Sequence, residues 1–323
     1  MFKGKAIYNP SGKAAEYSKW ACNFYKGCSN GCTYCYLKKG VLAHAMGGDK
    51  PELKACFKDK DNAMEIFKKE LTANLEELKY HGLFFTFTSD PLLYETKELT
   101  MLAINECLWN DIPVKLLTKC TKYISQFAYE LQCTDYELNN IAFGFTLTGH
   151  DELEPNASTN AERIEAMKKL HEAGFKTWAS IEPIIDFESS KRMIQQSTYF
   201  CDLYKIGLES GKKYDKQETN LFMLSCLNSC VPNNNKIYFK DSFLKQAGIN
   251  REDLHENCVT RKYNIFTRGD ECLEECTSCD KKFDIEDMES DSEGNWFCKE
   301  CWKELEPVMK AEYVELKAKE EID

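Results

Sequence analysis

Short apolar runs alternate along this chain with longer amphipathic stretches. Five runs rich in aromatic and β-branched residues have the length of buried strands, at residues 83–88, 113–118, 141–148, 176–181 and 203–208. The stretches between them predict helices over residues 97–110, 122–132, 159–174 and 189–199. Such alternation is typical of βα units around a parallel sheet. A further strand predicted at residues 17–25 completes six units.

The helix that follows Thr159 is the clearest of these elements. Glu162 stands three residues after Thr159, which is the spacing of a capping box. Ile164, Met167 and Leu170 then form one apolar stripe at helical spacing. Residues 212–270 are less regular. They predict one more strand at 236–240 after a turn at 231–235, without assigning its place in the sheet.

The first candidate for chemistry is the motif C-x3-C-x2-C formed by Cys28, Cys32 and Cys35. Cysteine thiolates are the usual ligands of iron–sulfur clusters. Three thiolates hold three irons of a cubic [4Fe–4S] cluster and leave the fourth iron open. An open iron can bind the amino and carboxylate groups of S-adenosylmethionine (SAM) and pass it an electron, which yields a 5′-deoxyadenosyl radical. The alternatives are a zinc knuckle or a set of buried thiols.

The same spacing recurs at Cys272, Cys276 and Cys279, so the neighbouring residues must separate the two copies. The first copy has Tyr34 just before its last cysteine, where an aromatic ring can lie against an adenine. The second copy lies among acidic residues and is followed by another Cys-x2-Cys pair. We therefore assign the cluster to the first copy.

Further segments accompany the first motif in order, at residues 7–17 (IYNPSGKAAEY), 88–91 (TSDP), 117–119 (LTK), 153–155 (LEP), 163 (R) and 180–186 (SIEPIID). Together with the cysteines they resemble the radical SAM proteins of the spore photoproduct lyase-like group, over residues 5–245. The resemblance implies a partial (β/α)6 barrel of the TIM type, with its chemistry in the loops at the C-terminal strand ends. Asn30 departs from the pattern, because many relatives have histidine there.

The resemblance also implies where SAM is held. Ser89 and Asp90 would contact the ammonium of the ligand, although Asp-Pro also starts ordinary turns. Lys119 would contact the carboxylate and Thr146 the ribose. A lysine at a strand end is, however, usually solvated.

Three charged side chains, one in the first turn of the capped helix and two at strand ends, are open to two interpretations each. Arg163 could pair with a carboxylate or lie on a solvated helix face. Glu182 and Glu209 end two neighbouring strands, where they could contact a ligand or form structural ion pairs. His150 and Asp151 are weaker candidates of the same kind.

Cysteines outside the motifs are expected to be mostly small buried hydrophobes. Among them, Cys120, Cys226 and Cys230 are candidates for returning a hydrogen atom to a substrate radical, and the last two could also hold a metal.

The C-terminal segment has its own metal-binding pattern. Cys276 and Cys279 are separated by eighteen residues from Cys298 and Cys301, which is typical of a tetrathiolate zinc site. A zinc ribbon or treble clef, followed by a helix from Trp302, fits this spacing. The alternative is a second iron–sulfur cluster that uses Cys272.

Composition limits the classes of partner. Residues 271–323 contain 18 acidic and 7 basic residues, so they carry the whole net charge of −11 and residues 1–270 are neutral. Neither part gives broad support for nonspecific nucleic-acid binding, and the acidic module favours protein contact or simple stabilisation. The sequence predicts neither a membrane span nor a signal peptide. Seventeen cysteines then indicate metal ligation in a reducing cytoplasm.

These observations predict an N-terminal extension (1–20), a radical SAM barrel (21–245), a connecting segment (246–270) and a zinc module with a C-terminal helix (271–323). The predicted function is a radical SAM enzyme that abstracts hydrogen from a nucleic acid or nucleotide, in repair or modification. A peptide or small molecule is the alternative substrate, and a non-catalytic redox sensor or adaptor is the alternative class. The enzyme would need a reductant such as flavodoxin or ferredoxin.

Overall fold

The computed structural model describes residues 1–40, 42–130, 138–266, 273–279, 281–284, 288–290, 295–305 and 307. The chain forms two compact units, Met1–Phe266 and Thr267–Asp323. The described residues contain no helix that is both long and apolar enough to cross a membrane.

The first unit is built on an eight-stranded sheet with the order β1-β2-β5-β6-β7-β8-β9-β10. Its strands are β1 (Ile7–Tyr8), β2 (Ala21–Cys22), β5 (Leu83–Phe85), β6 (Val114–Thr118), β7 (Ile141–Thr146), β8 (Lys176–Ile184), β9 (Leu203–Leu208) and β10 (Lys236–Phe239). Neighbouring strands from β2 to β10 run parallel, and β1 pairs antiparallel with β2. A separate antiparallel pair consists of β3 (Tyr25–Lys26) and β4 (Glu52–Leu53).

Helices connect the strands. The α-helices are α1 (Leu42–Met46), α2 (Lys60–Thr72), α3 (Leu75–His81), α4 (Lys97–Trp109), α5 (Ile124–Glu130), α6 (Asn160–Glu172), α7 (Phe187–Ser197), α8 (Lys216–Cys230) and α9 (Asp241–Ala247). Single turns of 3₁₀-helix occur at Gly12–Glu16, Tyr36–Lys38, Asp151–Leu153, Thr198–Phe200, Val231–Asn233 and Arg251–Asp253. The capping box at the start of α6 is present as predicted, with Thr159 accepting from the backbone N–H of Glu162.

The predicted fold class is confirmed, because the sheet is mostly parallel and helices alternate with its strands. The predicted strand at 236–240 joins the sheet as β10, so one more parallel strand is present than in the six predicted units. The strand predicted at 17–25 is wrong in extent, since pairing in the large sheet is confined to Ala21–Cys22. Helices α2 and α3 were not predicted. Residues 131 and 132 of the predicted helix 122–132 lie outside the described residues.

A second buried apolar cluster is formed largely by residues from the strands of the large sheet. Phe84, Trp178 and Tyr238 belong to a small apolar cluster that is separate from the larger core under the helices. A Cβ atom at Gly144 would overlap the indole of Trp178, so this glycine gives the ring its room. Alternate residues of a strand share a face, and Ser180 therefore lies on the same side as Trp178, directly above it in β8.

The second unit contains two short antiparallel hairpins. They are formed by β11 (Leu273–Glu275) with β12 (Lys282–Asp284), and by β13 (Met288–Ser290) with β14 (Trp296–Cys298). Residues 299–305 then form a helical segment. Most of the helix predicted from Trp302 onward, together with Cys272, lies outside the described residues.

Candidate active site

A cavity of about 350 Å³ lies where the parallel strands of the first unit end. Its lining includes all three cysteines of the first motif, Cys28, Cys32 and Cys35. The same lining contains most of the predicted ligand-binding side chains: Tyr34, Ser89, Asp90, Lys119, Thr146 and Glu182. The structure thus brings together residues that lie far apart in the sequence.

The loop that carries the cysteines is fixed at both ends by backbone contacts. Cys28 donates its N–H to the carbonyl of Gly48 over 3.0 Å, and Thr33 donates to the carbonyl of Leu153 over 2.9 Å. Gly27 has a φ of 79° and lies so close to the carbonyl of Lys50 that a Cβ atom would collide with it. These contacts set the positions of the cysteines before any ligand binds.

The three thiols are arranged differently from a site for a single ion. Among the described residues, the compact group of potential ligands is Cys276, Cys279, Cys298 and Cys301, whose Sγ atoms lie within 4.8 Å of one another. Cys28, Cys32 and Cys35 form no such group, which argues against a zinc knuckle and leaves room for a larger cluster. Burial, aided by the nearby Asp90 carboxylate, raises the pKa of Cys28 to about 12.

Asp90 ties the cysteine loop to the strand ends. Its Oδ2 accepts from the side-chain amide of Asn30 over 2.9 Å and from the backbone N–H of Lys119 over 2.8 Å. Its Oδ1 accepts from Thr118 over 2.6 Å and from the N–H of Leu92 over 3.0 Å. Because all four bonds come from the protein, Asp90 positions the loop in addition to lining the cavity.

Two buried oxygens in the cavity lining have no hydrogen-bond partner within the described part of the chain. They are the amide Oδ1 of Asn30 and the hydroxyl Oγ of Ser89. A buried polar atom without a partner costs about 1–3 kcal/mol. Both atoms therefore fit a polar ligand that supplies hydrogen-bond donors, such as the ammonium of an amino acid.

Arg163 stands behind the cavity wall and is not part of its lining. The side chain is fully buried. Its Nη1 donates to the carbonyl of Thr146 over 2.7 Å and its Nε to that of Ser158 over 2.8 Å, while Nη2 pairs with the buried carboxylate of Glu154. Tyr34 also donates its hydroxyl to Glu154. The structure does not bring Arg163 together with the predicted ligand contacts. The interpretation that Arg163 lies on a solvated helix face is wrong, because the side chain is buried and pairs with Glu154.

Ionic side chains line the end of the cavity formed by β8 and β10. Lys240 is buried and lies 2.5 Å from Oε2 of Glu182, while Oε2 of Glu16 is 3.9 Å away. Tyr17 donates its hydroxyl to Glu182 over 2.6 Å. Burial and this carboxylate raise the pKa of Tyr17 well above its ordinary value. Gly207 permits the approach, because a Cβ atom there would lie 2.8 Å from Glu182 and Lys240.

The arrangement agrees with comparison to known proteins. The family described as "Radical SAM superfamily" matches residues 22–185. The chain belongs to the radical SAM superfamily. Membership implies an enzyme that uses a [4Fe–4S] cluster and SAM, and the three cysteines on one cavity fit such a cluster.

Two similar proteins extend this comparison. The uncharacterized protein MJ0683 of Methanocaldococcus jannaschii is 23% identical over 205 residues, which cover 62% of this chain and 74% of that protein. The crystal structure of Streptococcus suis SuiB bound to the precursor peptide SuiA matches with a TM-score of 0.50 and 12% identity, over 73% of this chain and 52% of that one. The chain thus spans about half of the length of SuiB. The finer resemblance to the spore photoproduct lyase-like group stays a prediction.

The cysteines proposed as hydrogen-atom donors are not part of the described lining of this radical SAM cavity, although Cys120 directly follows Lys119, which is. None of Cys120, Cys226 and Cys230 belongs to its lining among the described residues. Cys226 and Cys230 are buried in α8, where burial raises the pKa of Cys230 to about 12. Cys226 and Cys230 pack in the hydrophobic core, as expected for most of the cysteines outside the motifs.

Sequence reasoning missed several residues of the cavity. Tyr17, Tyr36 and Phe87 supply aromatic lining, and Lys13 and Lys240 supply charge. Lys240 directly follows β10. Functional residues tend to follow strand ends, so Lys240 could have been predicted if the position of β10 in the sheet had been known. Glu209, which the sequence did predict as a candidate, follows β9 in the same way, lines the cavity and pairs with Lys39 over 3.4 Å.

His150 and Asp151 have structural partners near the start of α6. Asp151 Oδ1 accepts from the backbone and side-chain amides of Asn160 over 2.7 and 2.6 Å. The ring nitrogens of His150 lie 2.6 Å from Glu152 and 2.5 Å from Asp186. Partial burial opposes ionisation of His150, but the two carboxylates outweigh it and raise the pKa above its ordinary value.

Replacing His150 with glutamine is expected to destabilise the chain more at low than at high pH. Because the folded-state pKa is raised, this stabilisation is complete below the unfolded-state value of about 6.5 and is lost as the pH rises through the folded-state pKa. We expect a loss of roughly 0.5–1 kcal/mol near pH 6 and a smaller loss near pH 9. Urea unfolding at both pH values measures the difference, and an equal loss at both would contradict this account.

Proposed function

We propose that this chain is an enzyme that reductively cleaves SAM and uses the resulting radical to abstract hydrogen from a substrate. Cys28, Cys32 and Cys35 hold the cluster. The observation that carries the proposal is the single cavity shared by these cysteines and by the side chains expected to hold SAM. When bound, the cluster and SAM supply the electron and the 5′-deoxyadenosyl radical.

The chain's own residues bind and orient the ligand. Asn30 Oδ1 and Ser89 Oγ are free to accept from its ammonium. Lys119 lies 5.6 Å from the ring of Tyr34, so charge for a carboxylate and an aromatic surface for an adenine stand on one wall. Tyr17 and Phe87 of the lining pack against the buried cluster of Phe84, Trp178 and Tyr238, so this side of the cavity is apolar. A non-catalytic adaptor would need none of this convergence, which therefore supports the enzyme.

For the substrate we propose a nucleic acid or nucleotide, in repair or modification. The lyase-like resemblance supports it, as do the aromatic rings of Tyr36 and Phe87 in the cavity lining, because bases stack on such rings. A peptide is the second candidate, since the fold is shared with SuiB, whose structure holds a precursor peptide. A flavodoxin or ferredoxin is the proposed reductant, and the cytoplasm the proposed location.

The proposal is tested by reconstituting the full chain without oxygen, reducing it with SAM present and measuring 5′-deoxyadenosine. Oligonucleotides, nucleotides and peptides are then added in turn, because a substrate accelerates SAM cleavage. Formation of 5′-deoxyadenosine that depends on reductant and cluster is the expected result. A fully loaded and reduced chain that forms none with any of these substrates contradicts the proposal.

We also propose that the second unit binds zinc. Cys276 and Cys279 lie in the turn of the first hairpin, and Cys298 and Cys301 lie at the end of β14 and in the helical segment after it. Burial opposes ionisation of Cys276, but donors led by the backbone N–H of Cys298, 3.3 Å from Sγ, lower its pKa to about 6. Four thiols at this spacing suit tetrahedral zinc in a treble-clef or ribbon module. The acidic surroundings favour a protein partner.

Replacing Cys298 with serine is expected to remove zinc while the iron content stays at the wild-type value. The small core of this unit depends on the metal for folding energy. Metal analysis of the reconstituted full chain measures both ions, with Cys56→Ser as the control because Cys56 is exposed in the first unit. Parallel loss of iron would show that the second unit holds a cluster instead.

A further inference from the structure

A second cleft, of about 550 Å³, adjoins the cavity of the first unit. The two share Lys13, Leu208, Glu209 and Ser210, so a single molecule can occupy both. The residues that belong to the cleft alone come from the loop after β9 and from α9. The cleft is therefore the continuation of the active site at the ends of the last two strands.

Positive charge is concentrated in this cleft. Its lining contains four lysines, Lys13, Lys212, Lys213 and Lys245, against the single carboxylate of Glu209. That carboxylate is already shared with Lys39 at 3.4 Å. Residues 1–270 as a whole are neutral. The positive charge of the cleft is therefore a local feature and does not reflect a generally basic surface.

The walls of the cleft are preformed. Gln246 of α9 accepts from the backbone N–H of Tyr214 over 2.8 Å and donates to the carbonyl of Lys212 over 3.3 Å. The ammonium of Lys212 donates to the carbonyl of Ile185 over 2.9 Å, and that of Lys13 contacts Ser210 over 2.8 Å. In the described part of the chain, the ammonium groups of Lys213 and Lys245 are exposed and have no ion-pair partner. Two lysines are thus fixed and two are free to bind a ligand.

We propose that this lysine cleft binds a phosphate group of the substrate while the reacting part of the same molecule occupies the cavity. This inference rests on the proposed radical SAM activity. A phosphate monoester carries a charge of about −1.5 to −2 and three acceptor oxygens, which suits several ammonium groups around one anion. Lysine ammonium groups bind phosphate as point charges, and the described lining of the cleft contains four lysines and no arginine. The phosphate can come from a free nucleotide or from a nucleic-acid backbone.

Binding to the cluster-loaded full chain, with SAM present, tests the cleft. The probes are a fluorescein-labelled single-stranded oligonucleotide, thymidine 5′-monophosphate, thymidine without phosphate, and hexaglutamate. The Lys213→Glu/Lys245→Glu variant is expected to weaken oligonucleotide binding by about tenfold or more, and its dependence on log salt should fall by about 0.7 for each lysine lost. The control is Lys168→Glu/Lys169→Glu, which makes the same charge change on α6, where both lysines already pair with glutamates.

The probes separate the sources of the phosphate and the ways in which the inference fails. If the Lys213→Glu/Lys245→Glu variant binds thymidine 5′-monophosphate more weakly than the wild type does but binds thymidine equally well, the cleft binds a monoester. If only binding of the oligonucleotide is weakened, the cleft binds a backbone diester. Equal weakening by both variants overturns the inference, because it reveals only general charge. Hexaglutamate that binds as tightly as the oligonucleotide and weakens equally also overturns it. The 5′-deoxyadenosine assay is independent, so failure of the cleft and failure of the radical chemistry give different results.

Discussion

Replacing Cys32 with alanine is expected to abolish 5′-deoxyadenosine formation and to remove the cluster. Cys32 is buried in the loop that lines the cavity, beside Cys28 and Cys35. A cubic cluster that already leaves one iron without a protein ligand cannot also lose one of its three thiolates and remain bound. Iron content and cluster absorption after anaerobic reconstitution measure the loss directly, and 5′-deoxyadenosine measures its consequence.

The matched controls separate this effect from damage to the fold and from the second cysteine motif. Cys56→Ala removes an exposed thiol of the same unit that lies outside the cavity lining, so iron content and activity are expected to match the wild type. Cys276→Ala removes a thiol of the second unit and should also leave the cluster intact. A Cys32→Ala chain that still forms 5′-deoxyadenosine would mean that these three cysteines are not the cluster ligands.

The parallel core of the fold could be predicted because its signals are local. Five apolar runs became β5 to β9 close to their predicted positions, and the capping box fixed the start of α6. The first strand was overestimated, since only Ala21–Cys22 pairs between β1 and β5, while Tyr25 pairs with β4 in β3 and Tyr17 lines the cavity. Helices α2 and α3 were missed although α2 begins at a regular N-cap, where Asp59 accepts from the N–H of Asn62.

Site residues could be predicted from the sequence where they follow the end of a strand or belong to the spaced cysteine motif. Ser89, Lys119 and Thr146 follow or end successive strands, and their common lining follows from parallel strands ending at one edge. The ionic end of the cavity depends on contacts across most of the chain, and the sequence carries no local signal for it. Glu16 accepts from the hydroxyl of Tyr238 over 3.1 Å, more than two hundred residues away, which places Tyr17 over β8 and β10.

Replacing Arg163 with methionine is expected to lower the free energy of unfolding by about 3–5 kcal/mol, because it leaves a buried carboxylate without its cation. The side chains of Arg163 and Glu154 are both fully buried and pair with each other. The variant also removes the donors to the carbonyls of Thr146 and Ser158. In the described structure, Tyr34 then remains as the side-chain donor to Glu154. Because Tyr34 lines the cavity, we expect this part of the cavity wall to be destabilised together with the fold. Urea unfolding measures the loss.

Two further variants show whether the buried charge is the cause. Arg192→Met removes an exposed guanidinium of α7 that makes one bond of 3.1 Å to Ser189, and should change stability by less than about 0.5 kcal/mol. Adding Glu154→Gln to Arg163→Met removes the unpaired charge and should restore part of the loss, so that the two substitutions are not additive. A loss for Arg163→Met no larger than that for Arg192→Met would contradict this role. Recovery in the double variant would assign Arg163 to the support of Tyr34 and Thr146, through Glu154 and the backbone, rather than to the ligand itself.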